Sequence, residues 1–146
     1  MAVSEQVTTK PVLTDDQASA VLRAAEAKAR EAGAAMVIAV VDAAGDLKAF
    51  TRMDGAPKGS IQWTTDKAFT AASFGMPTHV LTEGVQNFPP VLASMASLPH
   101  VTLTPGGYPL LLADTLVGAV AAGGGTTPDQ DQVVATAGVA ALQPAE

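Results

Sequence analysis

An α+β fold with helices packed on an antiparallel sheet is what this sequence predicts, and three observations carry the prediction. Thr14-Asp-Asp-Gln17 opens a helical pattern that Gly33 closes, Val37 to Arg52 reads as two strands around a tight turn, and Asp114-Thr115 joins two further apolar runs. Parallel neighbours need a crossover of roughly a dozen residues or more, which neither turn supplies. The sheet is therefore expected to be antiparallel, with helices covering it.

The elements follow in order. In Thr14-Asp-Asp-Gln17 the Thr14 hydroxyl and the Gln17 amide serve exposed N–H groups of a starting helix, a capping box, while Asp15 and Asp16 suit its positive end. Ala18, Val21, Leu22, Ala25 and Ala29 fall at helical spacing and form one apolar face. Met36 to Val41 is a continuous apolar run rich in β-branched residues, as in a strand covered on both faces. Asp42-Ala-Ala-Gly45-Asp46 then turns the chain into a second strand, Leu47 to Arg52. Gly45 supplies the positive φ, and Asp42 bonds its own turn backbone.

A polar loop, Arg52-Met-Asp-Gly-Ala-Pro-Lys58, leads to a helix that Ser60 is expected to cap and that ends near Gly75. Thr78 to Leu98 predicts one or two short helical pieces broken by Pro89-Pro90. Val101 to Thr104, Pro109 to Ala113 and Leu116 to Ala122 read as three more strands. After Gly123-Gly-Gly125, Thr127-Pro-Asp-Gln130 repeats the capping pattern ahead of a last helix with Val133, Val134, Ala137 and Ala141. Residues 1–12 are expected to form a loose arm and residues 13–146 a single domain, as befits a chain of 146 residues.

Composition narrows the function. The core must be built from Ala, Val and Leu, because the chain has one Trp, one Tyr and four Phe among 48 % hydrophobic residues. Such side chains bury less area each, so subunit contacts are expected to add to stability. A net charge of −6, with eight Lys and Arg spread singly, argues against nucleic acid or an anionic membrane as partner. Zero cysteines exclude disulfides, thiol nucleophiles and Cys-built metal sites, and two His do not suffice for a purely histidine centre, so no such metal site is expected. Residues 1–10 lack the basic start and apolar run of a secretory signal, and no apolar run has the length of a bilayer span; the cytoplasm is the expected location.

Several side chains are candidates for chemistry. Arg52 and Asp54 lie where a strand meets a glycine-containing loop; they suit either a substrate carboxylate or each other. Lys67, on the following helix, suits an anion or proton transfer, or simply solvent. Pro105-Gly106-Gly107 and Gly123-Gly-Gly125 offer backbone N–H groups but lack the lysine of a P-loop and the spacing of a dinucleotide fingerprint. His79, His100 and Tyr108 are the candidates for haem iron, Tyr108 doubling as a phenolic acid. No Gly-x-Ser-x-Gly is present, so a nucleophilic hydrolase finds no support.

Val37-Ile-Ala-Val-Val-Asp42-Ala-Ala-Gly45, Arg52-Met-Asp54-Gly-Ala56, Lys67-Ala68-Phe-Thr-Ala-Ala72, Pro105-Gly-Gly-Tyr-Pro109, Val117-Gly118-Ala-Val and Asp129-Gln-Asp131 occur in an order and spacing that resemble the GlcG/HbpS-like family, related to the C-terminal domain of PduO-type proteins. The resemblance covers roughly residues 14–142. It implies a profilin-like α/β/α arrangement around a five-stranded antiparallel sheet, usually in homo-oligomers, and haem binding or degradation. Arg52, Asp54, Lys67, Gly106, Gly107 and Asp131 match the pattern; Tyr108 adjoins them as a ligand-binding candidate, and Gln132 stands where an acidic residue is usual.

Three functions follow as expectations. The first is a haem- or tetrapyrrole-binding protein in which Arg52 or Lys67 pairs with propionates. The second is a cofactor-independent isomerase or tautomerase, with Arg52 orienting a small anionic metabolite and Asp54 or Lys67 moving a proton. The third is a non-catalytic accessory subunit.

Overall fold

The structure, a computed structural model, describes residues 3–142. The first two residues of the expected arm and the last four of the expected domain lie outside the described residues. Residues 3–14 carry no regular structure, and Leu13 is the first side chain to enter the core.

Helix α1, Asp15–Glu31, starts at the expected capping box: the Gln17 N–H donates to Thr14 Oγ1 at 3.1 Å and the Thr14 N–H to Gln17 Oε1 at 3.0 Å. Strands β1, Val37–Asp42, and β2, Leu47–Arg52, form a hairpin. At its turn Gly45 has φ +87°, and Asp42 Oδ1 accepts from the N–H groups of Ala44 and Asp46. Helix α2, Ser60–Phe74, ends on a left-handed Gly75. Two short helices follow, α3 Thr78–Val85 and α4 Pro89–Ala96. A second hairpin, β3 Gly107–Leu112 and β4 Thr115–Gly123, precedes α5, Pro128–Leu142.

The two hairpins lie side by side in one four-stranded antiparallel sheet of order β2-β1-β4-β3. The central strands β1 and β4 are buried on both faces, which explains their unbroken apolar sequence. Ile38, Val40, Val120 and Ala122 point to one face, where they pack with α1 and α5. Ala39, Val41, Ala119 and Ala121 point to the other, against Ala68, Ala71 and Ala72 of α2. Alanines on both sides of that second contact let α2 approach the sheet closely, in a three-layered α/β/α arrangement.

Four strands replace the five expected. Val101 to Thr104 pairs with no strand; Thr102 and Thr104 bond instead to side chains of α2. The Thr102 N–H donates to Thr70 Oγ1 at 3.0 Å, and the Thr102 and Thr104 hydroxyls accept from the Trp63 indole. Threonine favours strands because it suits a pleated surface, but here it has helix-borne partners instead. Pro89-Pro90 opens α4 rather than breaking a helix, since the first helical turn tolerates missing N–H groups. Ser60 is the first residue of α2 and does not cap it; Gly59 precedes it with no side-chain bond. The second hairpin turns one residue early, at Ala113-Asp114, both with positive φ as a two-residue I′ turn requires.

Gly118 is needed for its lack of a side chain: a methyl there runs into the Val41 backbone carbonyl on the neighbouring strand. Gly118→Ala is expected to lower stability by about 2 kcal/mol or more. Gly84→Ala, in α3 with open space around it, is expected to raise stability by up to about 1 kcal/mol. Urea unfolding of both variants checks the opposite signs.

Candidate functional site

One helical face of α2 carries Ser60, Trp63, Thr64 and Lys67, residues three and four apart that stack above one another. Lys67 Nζ donates to Asp131 Oδ2 at 2.8 Å and to the Ala122 carbonyl at 3.1 Å. The two side chains are only 5 % and 12 % exposed. Asp131 sits in the first turn of α5, where the helix dipole favours a carboxylate, and its Oδ1 accepts from the Gly125 N–H at 2.9 Å. Four segments thus converge on one ion pair: α2, the end of β4, the glycine loop and α5.

Glycines make the room. A Cβ on Gly106 would stand 3.0 Å from Lys67 Nζ, and one on Gly125 would stand 2.6 Å from Asp131 Oδ1. Gly107 lies under the Lys67 backbone carbonyl, and its N–H donates to Thr78 Oγ1.

Above the pair opens a cleft of about 340 Å³. Trp63 forms one wall, its indole N–H held at 2.6 Å by Thr104 Oγ1 and its ring centroid 5.9 Å from Lys67 Nζ, the outer reach of a cation–π contact. Pro57, Pro105 and Pro128 add apolar surface, and Gly123 to Thr127 form the opposite lip. Thr64, also on the wall, keeps its Oγ1 buried with no hydrogen-bond partner.

The two histidines lie elsewhere. His100 sits across α2 from the cleft, on a shallower depression shared with Gly45, Gln62 and Phe69. Its Nδ1 lies 3.2 Å from Asp66 Oδ1, and its ring meets Phe69 edge-on at 5.8 Å. The imidazole is 61 % exposed and has left-handed backbone, φ +64°. His79 packs against Tyr108, ring centroids 5.8 Å apart, with its Nδ1 buried and unpartnered. The Tyr108 hydroxyl donates to Gln132 Oε1 at 3.0 Å, and burial pushes its pKa above the ordinary phenol value.

Of the residues singled out by sequence, the structure gathers Lys67, Gly106, Gly107 and Asp131. Arg52 and Asp54 are exposed and lie outside the cleft lining, and no ion pair joins the two among the described residues. Trp63, Ser60 and Thr64 went unrecognised as site residues, although their spacing from Lys67 along one helix was the available signal. Asp66 likewise emerges as the partner of His100, not of its neighbour Lys67. Among the described residues no cluster of three or more His, Cys, Asp and Glu could hold a metal ion, and no helix is long and apolar enough to cross a membrane.

Residues 13–140 match the family model described as "Haem degrading protein HbpS-like". The chain belongs to the HbpS-like family. Protein GlcG of Escherichia coli is 33 % identical over 112 residues, 77 % of this chain and 81 % of that protein. The crystal structure of HbpS superposes with a TM-score of 0.87 at 30 % identity, covering 99 % of both chains. That of a PduOC–haem complex gives 0.80 at 30 % identity, over 90 % of this chain and 95 % of the other.

Tyr108 is the only tyrosine, so its ionisation is readable by ultraviolet absorbance. The midpoint is expected above 10.0 in the native protein, falling to about that value on unfolding. Between the two midpoints the native state holds the extra proton, so stability declines as pH rises through that window. Tyr108→Phe should flatten that decline.

Proposed function

We propose that the protein binds haem or a closely related tetrapyrrole, with His100 as the protein ligand to the metal. The observation that carries this reading is the His100–Asp66 pair. A carboxylate on Nδ1 fixes the tautomer and leaves Nε2 with its lone pair outward, the usual second-shell arrangement of a metal-binding imidazole.

Among the imidazole and phenol donors, His100 suits such a group best. Haem iron takes imidazole, thiolate, thioether or phenolate ligands, and the chain has no cysteine. His79 buries its Nδ1 beside Tyr108. Tyr108 is held as a neutral phenol by burial and by Gln132, which is the form that does not ligate iron. His100 is exposed, oriented and flanked by the Phe69 ring. Bound haem supplies iron redox chemistry; the chain's own part is to present Nε2, hold the Nδ1–H in a hydrogen bond to Asp66 and offer an aromatic edge. Membership of a family described as haem-degrading, and likeness to a PduOC–haem complex, support the reading.

Titration of the purified protein with haem is expected to give a saturable Soret shift. His100→Ala should weaken it at least tenfold and Asp66→Asn by less, whereas His79→Ala should leave it unchanged. No saturable shift, or one indifferent to His100, contradicts the assignment.

A further inference from the structure

Asp66 holds the His100 imidazole at Nδ1, but it can do so only if the backbone beneath each side chain is itself held in place. His100 is a demanding residue to hold. Its φ of +64° lies in the left-handed region, which a residue with a side chain keeps only where its surroundings enforce it. The residues that follow, Val101 to Thr104, belong to no helix or strand, so no backbone ladder supplies that enforcement.

A buried hydroxyl stands where those bonds are needed. Thr70 is fully buried on α2, one turn after Asp66. Its Oγ1 donates to the Asp66 carbonyl at 2.8 Å, accepts from the Thr102 N–H at 3.0 Å and lies 3.4 Å from the His100 carbonyl. One oxygen thus joins the helical turn that carries Asp66 to the segment that carries His100. The Trp63 indole and the Thr82 hydroxyl bond further along, to the Thr102 and Thr104 hydroxyls and the Leu103 carbonyl; these bonds secure the segment but touch neither member of the pair. We propose that Thr70 is the positioning residue of the His100 site: its hydroxyl registers His100 against Asp66 and so sets which imidazole nitrogen faces outward. The consequence for haem rests on ligation by His100, whereas the positioning itself is a property of the ligand-free chain.

The chain has two histidines, so imidazole nitrogen-15 shifts read the His100 tautomer directly, with His79 as internal reference. At about pH 8, where imidazole is ordinarily neutral, the wild-type protein is expected to hold the His100 proton on Nδ1. Thr70→Val keeps the volume and removes the hydroxyl. It is expected to move the His100 proton towards Nε2, the usual preference of a free imidazole, to leave the His79 signals in place and to weaken haem binding about as much as Asp66→Asn. Thr70→Ser should restore both the tautomer and the affinity. Thr70→Ala puts no apolar branch beside the Thr102 N–H and gives the same readout if the valine variant fails to fold. An unaltered His100 tautomer without the hydroxyl, or a loss that serine does not rescue, overturns the proposal whatever the haem titration shows. The expected tautomer changes in a protein that shows no saturable Soret shift uphold the positioning and contradict only the haem ligation.

Discussion

The bond between Lys67 and Asp131 is the constraint on which the site depends. Helices α2 and α5 lie on opposite faces of the sheet, so their side chains can meet only beyond the end of a strand. That end is Gly123, where β4 stops and the glycine loop begins. A long lysine from one layer and an aspartate from the other close the gap. Removing charges from water is costly, and here the cost is offset by the Ala122 carbonyl and the Gly125 N–H as well as by the pair itself. The contribution of such a pair lies in geometry more than in net stability. It fixes how the two outer layers sit relative to each other, and it leaves a cleft where they do not touch.

The glycines around the pair belong to the same solution. Gly106 and Gly125 approach the lysine and aspartate so closely that any side chain would displace one of them or the adjacent backbone, and a side chain on Gly123 would run into the Thr64 hydroxyl. The Ala-rich interface of α2 with β1 and β4 works in the same direction, since it brings the helix near enough for Thr64 to abut Gly123. A core poor in aromatics is thus the condition that lets a lysine pass between layers.

Much of this was legible in the sequence where the determinants are local. The capping box at Thr14, the Asp42 turn with Gly45 and the stop at Gly75 depend on neighbouring residues, and each stands where sequence reading put it. Val101 to Thr104 shows the limit. Its composition suits a strand, yet its hydroxyls and N–H groups are claimed by Trp63 and Thr70, about thirty to forty residues earlier on α2. The partners of Lys67 and His100 were out of reach for the same reason: Asp131 and Asp66 lie 64 and 34 residues away. Family resemblance brought Lys67, Gly106, Gly107 and Asp131 into one group without saying why. The structure supplies the reason as a shared ion pair and the space around it.

Lys67 and Asp131 act as a unit, and a double-mutant cycle measures their coupling directly. Lys67→Met and Asp131→Leu, singly and together, are to be compared by urea unfolding. A buried pair predicts that each single change destabilises strongly and that the double variant recovers part of the loss, with a coupling of about 2 kcal/mol or more. Single losses that simply add, within about 0.5 kcal/mol, would contradict it.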